Sequence, residues 1–254
     1  MSEGIRGRTA VVTGAGRGIG RAIAIGLAAQ GVQVALVART DAELQEVATR
    51  VKSAGGRALA VPLDVTDQGA AIAATREIAE RLGPVDILIN NAAVVWPLGP
   101  SVAVDAAQWS AAIAINVVAV ATLSLSLLPS MIDRGWGRIV NLSSGVAAHP
   151  SGMLGGNAYV TSKAAVEAHT LNLAAEVAGS GATVNAYRPG GVDTAMQAWI
   201  RDQGPQRVGA ALHDRFARSY AEGSLLTPER SAASLLARLP GAETGHIWDV
   251  SDPL

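Results

Sequence analysis

A tyrosine and a lysine lie four residues apart in the stretch AYVTSKAAVEA, at Tyr159 and Lys163. The stretch favours helix, and residues four apart share one helix face, so the phenol would stand beside the ammonium group. A phenol with a pKa near ~10 exchanges protons poorly at neutral pH, whereas a neighbouring cation favours the phenolate and lowers that pKa. The pair therefore suits a tyrosine acid or base. Taken alone, the pair is better explained by a packed tyrosine and a solvated lysine, because both residues are common and this spacing is frequent.

A glycine-rich turn, TGAGRGIG, occupies residues 13–20 and offers a second chemical feature. Its glycines at 14, 18 and 20 let the backbone turn tightly and approach a ligand closely. The turn follows an apolar run and opens a helical segment, whose first N–H groups would point at a phosphate. This context indicates a dinucleotide-binding turn, which the glycines alone would not.

Seven short apolar runs alternate with longer segments of helical character, such as residues 21–31 and 41–56. The runs are RTAVVTG (8–14), VQVALVA (32–38), ALAVPLDV (58–65), VDILINNA (85–92), GRIVNLSS (137–144), ATVNAYRPG (182–190) and GHIWDV (245–250). Alternating strands and helices predict an α/β fold with a parallel sheet covered on both faces, and nearly continuous apolar strands agree with it. Because no linker or repeat interrupts the chain, we predict one Rossmann-type, doubly wound domain over residues 1–254.

Three short patterns predict helix starts. Thr40 and Glu43 form a capping-box pattern, in which each side chain would bond the other residue's backbone N–H. Asp105, followed by a glutamine three residues later, marks a second start. Thr227 marks a third, because a proline stands at the first helical position after it.

Composition limits the classes of function. The 254 residues carry a formal net charge of −1 and no basic block, so nucleic acid and anionic membranes are not expected partners. The chain has 0 cysteines, which excludes disulfides, thiolate metal sites and a cysteine nucleophile. We expect no metal centre and a reducing, cytoplasmic location. The N-terminal residues contain no apolar stretch of the kind that signal peptides carry.

One uncharged stretch, AAIAINVVAVATLSLSLL at residues 111–128, resembles a membrane span. Asn116 lies inside it, and three hydroxyl side chains dilute its second half. A helix that is apolar on all sides is also found inside a domain or at a subunit interface. We favour that interpretation because the sequence contains no other membrane signal.

The order of motifs resembles the short-chain dehydrogenase/reductase family over nearly the whole chain. The glycine turn has the family's Thr-Gly-x-x-x-Gly-x-Gly spacing, and NNAA (90–93) is similar to its Asn-Asn-Ala-Gly motif, with Ala93 in place of glycine. NLSS (141–144), YVTSK (159–163) and RPGGVDT (188–194) follow in the family's order. Arg188 stands where the family usually has a small residue, and could reach a phosphate or form an ion pair.

The resemblance implies a catalytic role for each of four residues. Tyr159 would be the acid or base, and Lys163 would also bind the nicotinamide ribose. Ser144 would hydrogen-bond the substrate oxygen, with Ser143 as the alternative, and Asn116 would hold a water in a proton relay from Lys163 to solvent.

The resemblance also implies a set of cofactor contacts in which Asp64 and Val65 flank the adenine, Asn90 lines the cleft, and Thr194 contacts the nicotinamide or pyrophosphate. The full set is Gly14, Arg17, Gly18, Ile19, Gly20, Arg39, Thr40, Asp64, Val65, Asn90, Ala92, Tyr159, Lys163, Pro189, Gly190, Val192 and Thr194.

The end of the second apolar run predicts the choice of cofactor. NAD enzymes usually place an acidic residue there to bind the ribose 2′-hydroxyl, but this chain has Ala38 followed by Arg39. Arg17 lies within the glycine turn, and two guanidinium groups suit a 2′-phosphate. This pattern favours NADP(H) over NAD(H). The alternative is that both arginines are simply solvated.

Residues 195–224 fall where the family carries its substrate lid. Apolar lid residues would either form a wall over a ketone or pack onto the domain itself; they are Met196, Trp199, Ile200, Leu212 and Phe216. Four lid arginines could attract an acidic acyl-phosphopantetheine, but three acidic residues offset them.

These features predict an NADP(H)-dependent oxidoreductase that interconverts a small-molecule ketone or 3-oxo compound and a secondary alcohol. An NAD-dependent alcohol dehydrogenase and a catalytically silent dinucleotide-binding protein are the alternatives, and a sugar-nucleotide epimerase fits less well. By resemblance, the helices around residues 111–128 and Tyr159 would pair between subunits, giving a homotetramer or dimer.

Overall fold

A computed structural model describes residues 4–253 and contains one sheet of seven parallel strands. The strands lie in the order β3-β2-β1-β4-β5-β6-β7. Their bounds are β1 Thr9–Thr13, β2 Gln33–Ala38, β3 Ala58–Pro62, β4 Val85–Asn90, β5 Gly137–Leu142, β6 Ala182–Arg188 and β7 Ile247–Asp249. Each strand falls within one of the seven predicted apolar runs, so the doubly wound α/β prediction is confirmed.

Helices cover both faces of the sheet and bury two separate apolar clusters beneath them. One face carries α1 (Gly18–Ala29), α2 (Asp41–Ser53) and α10 (Pro228–Arg238); the other carries α3 (Gln68–Leu82), α5 (Ala119–Asp133) and α6 (Asn157–Glu176). Leu27, Leu44 and Leu235 pack in the first cluster, and Ile78, Leu127 and Leu173 in the second. Strands buried on both faces explain their almost uninterrupted apolar sequence.

The chain reverses its direction across the sheet between β1 and β4. From β1 it builds outward through β2 and β3, and α3 then returns it to β4 beside β1. Loops after β1 and β4 therefore diverge to opposite faces and leave a crevice at the carboxyl ends of the strands, where ligands bind in open α/β sheets.

Two of the three predicted helix caps are present. The Asp105 side chain accepts a hydrogen bond from the backbone N–H of Ala107 at the start of α4 (Ala106–Ile113), and Thr227 accepts one from Arg230 at the start of α10. The capping box at Thr40 is wrong. Thr40 is the N-cap of α2, but its side chain makes no capping bond. The Glu43 side chain lies against the glycine-rich turn and not against the Thr40 backbone.

The apolar stretch around residues 111–128 belongs to a long helix, Ala106–Asp133. By length and composition alone, this helix could span a membrane. A π-helical turn, Ala114–Val118, joins its α4 and α5 parts. In the fold, one side of α5 packs under the sheet through Leu123, Leu127 and Met131, whereas Leu125 on the other side is 55% exposed. The segment is thus a core helix with an apolar outer face.

Candidate active site

A cleft of about 590 Å³ opens at the predicted crevice. Loops that follow β1, β2, β3, β4, β5 and β6 contribute to its wall, and the segment 195–216 covers one end. One half of the cleft lies over the glycine-rich turn, and the other half lies between Tyr159 and the covering segment.

The glycine-rich turn forms a cradle that side chains could not occupy. Gly14 and Gly18 have φ values of +64° and +55°, which other residues rarely adopt. A Cβ on Gly14 would lie 2.7 Å from the Asn91 side-chain nitrogen, and one on Gly20 would collide with the Gly14 carbonyl oxygen. Helix α1 begins here, and no side chain caps it. Its first N–H groups and its dipole therefore suit the phosphates of a dinucleotide.

The end of β2 presents basic groups where an acidic residue is usual in NAD-binding folds. Ala38 and the exposed Arg39 line the cleft together with Arg17 and Asp64. Hydrogen bonds from Thr66 lower the pKa of Asp64, and the charge of Arg39 adds to this effect. The two guanidinium groups thus stand at the site expected for the 2′ position of the adenosine ribose.

One acidic residue also reaches this end of the cleft. The Glu43 carboxylate lies against Gly16 and 3.8 Å from the Arg17 guanidinium, with both side chains partly exposed. Such an exposed pair contributes little to stability, but it partly offsets the positive charge near the ribose.

Tyr159 and Lys163 lie one turn apart near the start of α6, as predicted. The Lys163 ammonium is buried, donates a hydrogen bond to the Leu142 carbonyl (2.7 Å) and lies 5.6 Å from the centre of the Tyr159 ring. Hydrogen bonding by the Ser144 hydroxyl acts to lower the pKa of Tyr159, and both side chains line the cleft. The strand end at β5 and the first turn of α6 therefore bring together the three groups that the motifs predicted.

The electrostatics of this trio differ from the expectation. Burial lowers the pKa of Lys163 to about 8, while the charge of Glu167 raises it. Burial raises the pKa of Tyr159, and the hydrogen bond with Ser144 opposes that rise. The prediction that the lysine lowers the tyrosine pKa is not met, because the ammonium is bonded to a backbone carbonyl and lies over the ring.

Behind the trio lies an ion pair whose acidic partner, Glu167, the sequence motifs did not identify. Arg188 donates two hydrogen bonds to the Glu167 carboxylate, both 2.8 Å, and Ser143 donates a third at 2.7 Å. This settles the alternatives left open for Arg188 in favour of an ion pair. It also separates the two serines, because Ser143 is buried and bonded to Glu167 whereas Ser144 faces Tyr159.

Asn116 lies in the π-helical turn, fully buried. Its side chain accepts a hydrogen bond from the Val94 N–H and donates to the Val94 carbonyl, both at 2.8 Å, and donates a third to Ser162 at 3.0 Å. The amide thereby ties the loop after β4 to α6. Extra residues in a helical turn of this kind often mark functional sites.

The sequence profile of the family described as short chain dehydrogenase matches residues 8–204. The chain is a short-chain dehydrogenase/reductase. Its fold, glycine cradle and Tyr159–Lys163 pair are those that the resemblance of the motifs implied.

Individual relatives agree with this assignment. The chain is 34% identical over 248 residues to a 2,3-dihydro-2,3-dihydroxybenzoate dehydrogenase of Bacillus subtilis, covering 97% of this chain and 94% of that protein. It is 38% identical over 196 residues to a short chain dehydrogenase of Pseudocercospora fijiensis, covering 76% of this chain but only 62% of the relative. A crystal structure from Beutenbergia cavernae, described as an NAD(P)-dependent gluconate 5-dehydrogenase with bound NADP at low occupancy, has a TM-score of 0.84 and 36% identity, covering 96% and 95% of the two chains.

In this dehydrogenase/reductase, three of the predicted site residues do not line the cleft. Asn90, predicted to line it, is buried instead and donates to Ser124 (3.1 Å) and Asn141 (2.8 Å). Successive residues of a strand point to opposite faces, and so the next residue, Asn91, forms the wall and bonds the Thr13 carbonyl. Gly20 packs against the Gly14 carbonyl, and the buried Asn116 side chain bonds Val94 and Ser162 behind the cleft wall.

The remaining predicted cofactor residues do line the cleft: Gly14, Arg17, Gly18, Ile19, Arg39, Thr40, Asp64, Val65, Ala92, Tyr159, Lys163, Pro189, Gly190, Val192 and Thr194. Asn91, Glu43 and Gln197 line it as well and were not among the predicted cofactor contacts. Asn91 follows the predicted Asn90 directly, and strand alternation was the signal that could have separated the two.

The lid consists of α7 (Ala195–Asp202), α8 (Pro205–Val208) and α9 (Ala210–Ala221). It builds a third apolar cluster above the catalytic end, in which Ile200 and Leu212 are buried. Met196, Trp199 and Phe216 are partly exposed and line the cleft. Both proposed roles of the apolar lid residues are therefore present, divided among different side chains.

Proposed function

We propose that the enzyme interconverts a ketone and a secondary alcohol with NADP(H), using Tyr159 as the acid or base. The observation that carries the proposal is the trio of Tyr159, Ser144 and Lys163 at one end of the cleft whose other half is the glycine cradle. Tyr159 and Ser144 offer two hydroxyl groups to one carbonyl oxygen, which is the arrangement that stabilises negative charge on that oxygen.

The bound nicotinamide supplies the hydride for reduction or accepts it in oxidation. Ser144 donates a hydrogen bond to the substrate oxygen, and Tyr159 donates the proton. Lys163, held between the Leu142 carbonyl and the charge of Glu167, binds the ribose and favours the phenolate that remains. The Asn116 side chain is committed to Val94 and Ser162, and so its part in a proton relay would use its backbone carbonyl.

Preference for NADP(H) is supported by Arg17 and Arg39, which line the cleft together with Ala38. Charge-assisted bonds from two guanidinium groups suit a 2′-phosphate. An NAD-dependent alcohol dehydrogenase is the second candidate, and Glu43 is the observation that favours it, because its carboxylate offsets Arg17. We further propose a cytoplasmic homo-oligomer, a tetramer or dimer, joined through the apolar outer faces of α5 and α6.

The proposal is tested by the absorbance of reduced nicotinamide with NADPH, and then with NADH, against a panel of ketones and 3-oxoacyl thioesters. Wild type should oxidise NADPH, and Tyr159→Phe should lose at least about 10³-fold in kcat, because it lacks the proton donor. NADPH binding by the variant, measured by fluorescence, should be unchanged. A variant that binds cofactor normally and retains turnover would refute the role of Tyr159; a wild type silent in both directions would leave the dinucleotide-binding alternative.

The cofactor preference has its own test in the chain. Arg39→Ala should weaken NADPH binding by roughly tenfold and leave NADH binding nearly unchanged, because only NADPH carries the phosphate. Ala38→Asp should reverse the preference, since a carboxylate there would repel the phosphate and accept from a ribose hydroxyl. Lys52→Ala, at an exposed site on the last turn of α2, is the matched control for loss of a surface charge. Equal effects of Arg39→Ala on both cofactors would support the NAD candidate.

A further inference from the structure

The half of the cleft that receives the substrate is walled by apolar side chains. Val95 and Trp96 come from the loop after β4, Val146 and Met153 from the loop after β5, and the lid contributes its own members, Met196, Trp199, Ile200 and Phe216. All of them except Trp96 belong, together with the Tyr159 ring, to one continuous apolar cluster.

Charged groups of the cleft lie elsewhere. Among the described residues that line it, those with charged side chains are Arg17, Arg39, Glu43, Asp64 and Lys163. Arg17, Arg39 and Asp64 belong to the loops after β1, β2 and β3, and Glu43 belongs to the first turn of α2, all at the adenosine end. Lys163 is buried beneath Tyr159 and bonded to a backbone carbonyl.

The lid arginines are directed away from this half of the cleft. Arg201 stacks on Tyr220, 4.0 Å from the ring centre, and lines a separate pocket together with Arg17 and Thr194. Arg215 donates to the Gly152 carbonyl, while Arg207 and Arg218 are exposed, and none of the four lines the cleft. The sequence suggested that these arginines could attract an acidic substrate. None of them lies beside the reacting carbon.

One lid side chain supplies a polar atom. The side-chain oxygen of Gln197 is buried and has no hydrogen-bond partner in the protein, and Gln197 lines the cleft. A buried acceptor without a partner is unfavourable, so a bound ligand that donates a hydrogen bond there would remove that cost.

From these observations we propose that the substrate is an uncharged ketone, or the matching secondary alcohol, whose carbon bears a bulky apolar substituent such as an alicyclic or aromatic ring. The apolar wall receives the ring, and Ser144 and Tyr159 receive the oxygen. A carboxylate or phosphate on the substrate would be buried against hydrocarbon, because Lys163 is already bonded to a backbone carbonyl, and a polyol would bring more hydroxyl groups than Gln197 could pair with. This inference rests on the proposed ketone–alcohol chemistry and narrows it.

The test compares 4-oxocyclohexanecarboxylate with its methyl ester, which share one ring and differ in charge. With NADPH and the full-length enzyme, kcat/KM for the ester should exceed that for the carboxylate by at least about 100-fold. Met196→Lys, which places a cation in the wall, should narrow this ratio by at least about tenfold. Met196→Leu is the control for shape and should leave the ratio unchanged.

A second comparison tests the wall itself. Phe216→Ala should lower kcat/KM for the methyl ester by roughly 10- to 100-fold and that for butanone by less than about threefold, because only the ring reaches the wall. Tyr220→Ala, one turn further along α9 and 55% exposed, should change neither value. Cofactor affinity, measured by fluorescence, should stay the same in both variants.

The outcomes separate the two proposals. Turnover of the carboxylate at a rate equal to or above that of the ester, or equal losses for both ketones in Phe216→Ala, overturns the inference while the ketone–alcohol chemistry stands. No turnover of any ketone or alcohol with either cofactor overturns that chemistry, and the inference with it.

Discussion

The Arg188 guanidinium donates two hydrogen bonds of 2.8 Å to the carboxylate of Glu167, which lies one helical turn beyond Lys163 on α6. Glu167 is the charged group that raises the pKa of the lysine against the effect of burial. The pair touches neither substrate nor cofactor in the arrangement proposed above. It connects β6 to α6, and it holds a negative charge in place behind the buried ammonium.

Replacing Glu167 by glutamine should change the pH dependence of the reaction. Without its charge, the pKa of Lys163 falls below about 8, whereas burial keeps the pKa of Tyr159 above its ordinary value, so the lysine sets the alkaline limb. Activity that needs the ammonium declines as pH rises through the lysine pKa, so the alkaline limb of kcat/KM for ketone reduction should move roughly one unit lower. A profile recorded from pH 6 to 10 measures the shift.

Glu176→Gln, at an exposed position near the end of α6, is the control and should leave the limb where it is. The Glu167 variant should also lose about 2–3 kcal/mol in free energy of unfolding, because Arg188 is left partly buried without its partner. Loss of stability with an unmoved limb would mean that the ion pair only braces the fold.

Lys163→Met should stabilise the folded protein at neutral pH even though it abolishes activity. Burial lowers the lysine pKa from 10.5 to about 8, so the unfolded chain binds more protons between these values and wild-type stability rises with pH across that window. Below pH 8 the cost of burying the charge is fully present.

Lys163→Met removes that cost but also removes the hydrogen bond to the Leu142 carbonyl. The free energy of unfolding at pH 7 should therefore increase by about 1–2 kcal/mol. Urea unfolding at pH 7 and at pH 10 measures the gain, which should shrink at the higher pH. Lys52→Met, on the surface of α2, should change stability little at either pH. A pH-independent gain would point to packing of the methionine as its source.

The two serines at the end of β5 should separate activity from stability. Ser144→Ala removes a hydrogen bond to the substrate oxygen and should lower kcat by about 10²-fold with little effect on unfolding. Ser143→Ala removes the bond to Glu167 and should cost about 1 kcal/mol of stability while kcat stays within about threefold. Steady-state kinetics and urea unfolding of both variants decide the assignment, and the reverse pattern would make Ser143 the catalytic serine.

The outer faces of α5 and α6 should carry the contact between subunits. Leu125 on α5 and Leu171 on α6 are 55% and 42% exposed, and Ile132 on α5 is 39% exposed; apolar patches on a protein surface mark interaction sites. Leu125→Glu should yield a single-chain mass by light scattering, because a carboxylate would be buried without a partner. Ala29→Glu, exposed on α1 at the opposite face of the sheet, should keep the wild-type mass. A wild type that is itself monomeric would contradict the proposal.

Sequence patterns were enough to predict the sheet, because the buried strands are short apolar runs and glycine, proline or helix-capping residues mark turns between elements. They also placed Tyr159, Lys163 and Ser144, whose spacing follows from one helix turn and one strand end. The capping box failed because Glu43 has two available positions, the backbone of Thr40 and the loop at Gly16, and local sequence does not rank them.

Other features depended on contacts between distant residues. Glu167 and Arg188 are 21 positions apart, and only the packing of β6 beside α6 brings them together. The π-helical turn at Asn116 arises where its amide bonds both backbone groups of Val94, a loop residue 22 positions away. Similarly, burial of the Tyr159 ring depends on a lid whose sequence does not state which way its apolar side chains face.

The lid side chains share their apolar cluster with the loops after β4 and β5 and with Tyr159, and this cluster is separate from the two beneath the sheet. Substitutions at distant sites without shared contacts combine almost independently in their effects on stability. Changes at Met196, Trp199 or Phe216 would therefore reshape the substrate chamber with little penalty to the sheet and the helices that cover it. In an evolving lineage, such a division lets one scaffold acquire new substrates through a few lid mutations while its catalytic groups stay in register.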